Sequence, residues 1–95
     1  MEKIVLRVSE GQDISFTGQL AAEGLESNKG KRISLYDTEK GNWLLAVTNM
    51  NGFLLEHEVL TEKSAEQLVK LLGYTSYAKD IYAQLGFDTS NKLDI

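Results

Sequence analysis

Ninety-five residues, with Lys+Arg 10 against Asp+Glu 14 and a formal net charge of -4, describe one domain-sized globular chain. Cys and Pro are both zero, which excludes disulfides, thiolate metal sites and thiol nucleophiles, as well as proline-rich linkers and PxxP ligands. The longest apolar run, Trp43-Leu44-Leu45-Ala46-Val47, is far short of the roughly 20 residues of a membrane helix, and no signal-peptide apolar region follows Met1-Glu2-Lys3, so no membrane association and a cytoplasmic location are expected.

The first half of the chain alternates with period 2. Ile4, Leu6 and Val8 share one face of a first strand. After a turn at Glu10-Gly11-Gln12-Asp13, Ile14, Phe16, Gly18 and Leu20 share one face of a second. Ala21 to Gly30 is polar and glycine-bearing and is expected to be a loop. Lys31 to Tyr36 reads as a third strand, ended by Thr38-Glu39-Lys40-Gly41.

Asn51-Gly52 between apolar runs predicts a two-residue type I′ hairpin. Closure there sets Met50 against Phe53, Thr48 against Leu55, Ala46 against His57 and Leu44 against Val59. One face then carries Leu44, Ala46, Met50, Phe53, Leu55 and Val59. The other carries Trp43, Leu45, Val47 and Leu54 among Asn49, Glu56 and Glu58. Together with Leu60, these apolar residues are expected to form an exposed contact patch.

Period 3.6 takes over after Leu60. Ser64 and Gln67 fit a capping box, and Ala65, Leu68, Val69 and Leu72 form a stripe ended by Gly73. A second helix is predicted over Ser76 to Leu85, with Gly86 as its stop. Leu72-Gly73-Tyr74 and Leu85-Gly86-Phe87 both read as Schellman ends. The expected fold is therefore one α+β domain over residues 1–95: an antiparallel sheet of about five strands, then two C-terminal helices packed on one face. Its expected core is Ile4, Leu6, Phe16, Leu35, Leu44, Leu55, Leu68, Leu72, Ile81 and Leu85.

Catalytic equipment is sparse. His57 is the only histidine and stands between Glu56 and Glu58, so it reads as a sheet residue at a core edge; no nucleophile elbow exists to pair with it. No second His or Cys supports a metal site. Gly24 and Gly30-Lys31-Arg32 are mis-spaced for a phosphate loop, and Arg32 stands where Ser or Thr would bind magnesium. Neither metal nor cofactor is expected, and the chain does not read as an enzyme. Lys29, Lys31 and Arg32 form the only basic cluster, a candidate for an acidic partner. The acidic overall balance argues against nucleic acid. Leu93, Asp94 and Ile95 form an apolar tail that reads either as a last strand or packed tail or as a linear handle whose carboxylate a partner captures.

The Leu93-Asp94-Ile95 segment resembles the signature of a bacterial family named for its C-terminal E-x-L-D-I motif. Ile14 to Ala21 is similar to that family's F-x-G-x-L segment, and Tyr36 to Leu45 to its Y-x-T-x-K-G segment. Asn91 stands where the family's Glu falls, and residues 13–20 read as strand where an N-terminal ribbon-helix-helix-like segment would place helices. The resemblance implies a bacterial regulatory protein without that DNA-reading segment and supplies no catalytic residue. The expected function is a non-enzymatic protein-binding or regulatory module, with a protein partner or a homodimer. Leu93, Asp94, Ile95, Trp43, Lys29, Lys31 and Arg32 are its candidate contact residues. The alternative is a small ligand-binding protein or enzyme with Tyr36, Tyr74, Tyr77, Tyr82 and Asp80 around a pocket.

Overall fold

In the computed structural model, which describes residues 1–95, the alternating half of the chain forms a five-stranded antiparallel meander. β1 (Glu2–Leu6), β2 (Ile14–Glu26), β3 (Lys31–Thr38), β4 (Trp43–Asn49) and β5 (Leu54–Leu60) pair in chain order. α1 (Ala65–Leu72) and α2 (Ser76–Leu85) follow and cover one face. This is the α+β arrangement that strands first and helices later lead to.

β2 is the longest strand, and it corrects the expected loop. The chain stays extended through Glu26; only Ser27–Lys29 form a 3-10 turn, closed by Gly30 in the left-handed region. The alternation breaks because of a bulge. Leu20 lies opposite Tyr36, yet Ala22 lies opposite Leu35, so Ala21 is an extra residue. Even-numbered residues therefore change face at this point. Ile14, Phe16 and Leu20 look to one side of the sheet; Ala22 and Gly24 look to the other, under the helices.

β2 depends on glycine for close approach at two places. Gly18 is the one β2 residue that pairs with both β1 (Glu2) and β3 (Thr38), and a Cβ there would collide with the carbonyl of Asp37. At Gly24 a Cβ would lie 2.6 Å from the carbonyl oxygen of Tyr77, so α2 rests directly on the strand backbone.

The covered face holds the larger core. Ala22, Ile33, Leu35, Trp43, Leu45 and Leu60 from the sheet meet Leu68, Ala78, Ile81 and Tyr82 from the helices. The opposite face has no helix. There Leu6, Leu44, Ala46 and Leu54 gather with Ile4, Val8, Ile14, Phe16 and Tyr36 because the sheet curls over itself. The first and last strands of an odd meander run parallel, so a curl that joins them must do so in parallel. Arg7 and Phe53 form that bridge: Leu54 N–H donates to the Arg7 carbonyl at 2.7 Å, and the Arg7 guanidinium lies 5.3 Å from the Phe53 ring centre.

The β4–β5 turn differs from the type I′ expectation. Only Gly52 has positive φ (84°), whereas type I′ needs it at Asn51 too. Asn49 governs the turn instead. Its Oδ1 accepts from the N–H groups of Asn51 and Phe53, both at 3.0 Å, and its carbonyl accepts from Gly52. The extra turn residue makes Thr48 pair with Leu54 rather than Leu55, while Ala46–His57 and Leu44–Val59 pair as expected. Leu54 is consequently buried in the uncovered-face cluster, and Leu55, expected in the core, is 50% exposed.

Ser64 caps α1, accepting from Gln67 N–H at 3.3 Å, and Thr75 caps α2 in the same way. The two helix ends are not equivalent. Gly86 and Phe87 make the full Schellman pair of bonds, to Ala83 and Tyr82. Gly73 makes only a bond to Val69 and is not left-handed helical at ψ -143°, and Tyr74 is exposed. Tyr82 supplies what is missing: its hydroxyl donates to the Gly73 carbonyl at 2.6 Å, with the Leu68 carbonyl 3.4 Å away. Burial, with smaller contributions from Tyr74 and Tyr77, pushes the Tyr82 phenol above its ordinary value of 10.0.

Two outcomes follow from this packing. Gly24→Ala should lose about 1–3 kcal/mol, measured by urea denaturation, because the methyl meets backbone rather than a movable side chain. Tyr82→Phe should lose about 1–3 kcal/mol by leaving a buried carbonyl unpaired. The raised phenol favours the neutral form when folded, so Tyr82 subtracts from wild-type stability as pH rises above about 10, and the phenylalanine variant should lack that component.

Candidate partner-binding groove

The helices leave one end of their face open. β2 and β3 run past β1 by most of a strand length, and the β2–β3 and β4–β5 hairpins end there together. α1 ends at Leu72 and the chain turns into α2, so the last turn of α1 and the first of α2 overhang these hairpins. Between them lies a groove of about 430 Å³.

At its base Val47 of β4 is half-buried, above Ile33 of β3 and Leu45 of β4, which are 3% and 6% exposed and belong to the covered core. Leu71, Leu72 and Tyr77 form the helical wall. The rims are charged and of opposite sign. On the β2–β3 side stand Lys29 and Lys31, with Glu26 opposite Lys31 across the hairpin. On the β5 side stand Glu56 and Glu58, opposite Val47 and Leu45 respectively. Cross-strand partners share a face, so both carboxylates project beside this base.

None of these five charges is ion-paired. The pairs within 4.0 Å are Arg32–Glu23, Lys63–Asp37, Lys70–Glu66 and Lys92–Asp88. Beside apolar side chains, a free Lys pair facing a free Glu pair favours an occupant with apolar side chains and both signs of charge.

The basic cluster read from the sequence is divided between the two faces. Lys29 and Lys31 belong to the groove; Arg32 points to the other side, where it reaches Glu23 at 3.3 Å and borders a second hollow with Leu25, Thr48 and Met50. Trp43, expected among the contact residues, is buried in the covered core. It is 5% exposed, its indole N–H donates to Asp37 at 3.0 Å, and Phe87 packs on it with ring centres 6.2 Å apart. The expected exposed patch is corrected with it: Trp43, Leu45 and Leu60 lie in the core under the helices, Leu54 is buried on the other face, and Val47 alone stays half-exposed in the groove. His57 pairs with Ala46 on the outer strand, and its side chain is exposed.

Tyr74, Tyr77 and Tyr82 lie near one another at the α1–α2 connection but do not line one pocket. Tyr36 packs edge-on against Phe16 on the uncovered face, Tyr82 is buried between the helices, Tyr74 and Asp80 are exposed, and only Tyr77 reaches the groove. The tail leaves the fold after Phe87. Asp88 accepts from the backbone and hydroxyl of Ser90 and pairs with Lys92 at 3.2 Å, contacts that hold its carboxyl below the usual range. Leu93, Asp94 and Ile95 are exposed, Leu93 at 69%.

Glu26, Glu56, Glu58 and Tyr77 were not singled out as a site from the sequence. A signal was present for two of them. Once Ala46 is set opposite His57, Glu56 and Glu58 must flank the apolar positions Val47 and Leu45. Compared with family models, with curated proteins and with solved structures, the chain matches none. No helix is long and apolar enough to cross a membrane.

Trp43 is the only tryptophan, so its placement can be read directly. Native emission should be blue-shifted and protected from acrylamide, with protection lost on unfolding. Trp43→Phe, which leaves Asp37 one donor short, should lose about 1–3 kcal/mol by chemical denaturation.

Proposed function

We propose that this chain is a non-enzymatic protein-binding module that receives an extended peptide segment in the groove between its hairpin tips and its helices. The observation that carries this reading is the set of unpaired rim charges around the accessible apolar side chains Val47, Leu71 and Tyr77. An extended segment alternates its side chains, so apolar residues two apart can seat against these side chains while charged neighbours meet the rims. A regulatory role in a bacterial cytoplasm rests on the resemblance to the E-x-L-D-I family and belongs to the same proposal. The pocket-enzyme alternative has less support, since of Tyr36, Tyr74, Tyr77, Tyr82 and Asp80 only Tyr77 lines the groove.

Fluorescent pentapeptides with apolar residues two apart and one charge of each sign test the proposal. They should bind more tightly than scrambled peptides of the same composition that separate the pattern. Lys29→Glu/Lys31→Glu should weaken binding by about tenfold or more, consistent with loss of rim charge pairing. Equal binding of patterned and scrambled peptides, or no effect of charge reversal, would sink the reading.

A further inference from the structure

The chain carries, outside its fold, a segment with the pattern the groove asks for. Lys92-Leu93-Asp94-Ile95 places Leu93 and Ile95 on one side of an extended backbone and Lys92 and Asp94 on the other. Leu93 and Ile95 touch nothing that buries them. We propose that the groove of one copy receives residues 92–95 of a second copy, a head-to-tail contact that rests on the peptide-binding reading above.

Charge and direction both support this occupant. With Leu93 and Ile95 against the accessible apolar side chains Val47, Leu71 and Tyr77, Lys92 falls to the rim of Glu56 and Glu58. Asp94 then falls to the rim of Lys29 and Lys31. Reversing the segment would set Lys92 against Lys29 and Lys31, so one direction is selected. Lys92 must exchange its Asp88 partner for Glu56 or Glu58. That exchange is cheap, because the Lys92–Asp88 pair is surface-exposed and contributes little. Glu26 beside Lys31 weakens the positive rim without cancelling it.

A second copy is favoured over the chain's own tail by where the tail is anchored. Phe87 packs on Trp43, at the end of β4 away from Val47, about 13 Å along the strand. The Asp88–Ser90 turn contracts the residues that would have to bridge that distance. Open grooves and free tails on identical copies make a heterologous contact, which builds rings or open chains rather than an isologous dimer.

The test is sedimentation of the full chain from about 10 µM to 1 mM, the range expected of a small interface. The average mass should rise with concentration to at least about twice the monomer mass of 10.6 kDa. Leu93→Ser/Ile95→Ser and Glu56→Lys/Glu58→Lys alter exposed tail and rim residues respectively, and each variant alone should stay at the monomer mass. Mixed in equal amounts they should recover a dimer and nothing larger, because the first keeps its groove and the second its tail. Wild type that remains monomeric throughout overturns the proposal, as does association that both variants retain. A mixture that stays monomeric also overturns it. A groove-variant-sensitive compaction without change of mass would show the tail docking on its own chain instead. Monomeric wild type that still binds patterned pentapeptides would leave the peptide-binding reading standing; loss of both would remove the two together.

Discussion

The fold depends on β2 serving two partners in succession. Its first part pairs with β1 and its second part with β3, and Gly18 is the residue where the two pairings overlap. Offset pairing of this kind needs a place where the strand can coil without a side chain in the way, and the Asp37 carbonyl occupies the space a Cβ would take. The bulge at Ala21 then turns the side chains over. Without it, Ala22 and Gly24 would face away from the helices, and α2 would meet Glu23 and Leu25 instead. The covered core, the approach of α2 and the open end of the sheet all follow from these few residues.

The groove is a by-product of that offset. Because β2 and β3 extend past β1, the sheet is narrower and longer at the hairpin tips than two short helices can cover. Ile33 and Leu45 are still buried under the helices, and Val47 is the sheet residue left half-exposed where they end. What a third turn of helix would have covered is left to the charged rims.

The alternation in β1 and β3, the continuous apolar run of β4 and the two helical stripes were plain in the sequence, and the helix start at Ser64 and the stop at Gly86 were readable from capping chemistry. The second half of β2 was not. Ala22 and Gly24 look like loop composition, yet they are small because a helix lies against them. A bulge also erases the period-2 signal at the very residue where it occurs. The hairpin at Asn51-Gly52 was readable in place but not in type, since the side chain of Asn49, two residues before the glycine pair, decides the turn. Leu54 and Leu55 exchanged roles as a result. Lys29 and Lys31 were legible as charged residues near a turn; that they oppose Glu56 and Glu58 across a groove needed the register of four strands.

Gln84 gives the offset strand a further property. Where β1 no longer reaches, the side-chain amide of Gln84 accepts from Glu23 N–H at 3.0 Å and donates to its carbonyl at 2.7 Å. A primary amide carries the donor and acceptor of a peptide group, so one side chain imitates one residue of a missing neighbouring strand. The same helix thus shields an apolar surface and occupies a strand edge that would otherwise template pairing with another chain. Fraying of α2 exposes both at once, which ties protection against edge-to-edge aggregation to the integrity of a single ten-residue helix.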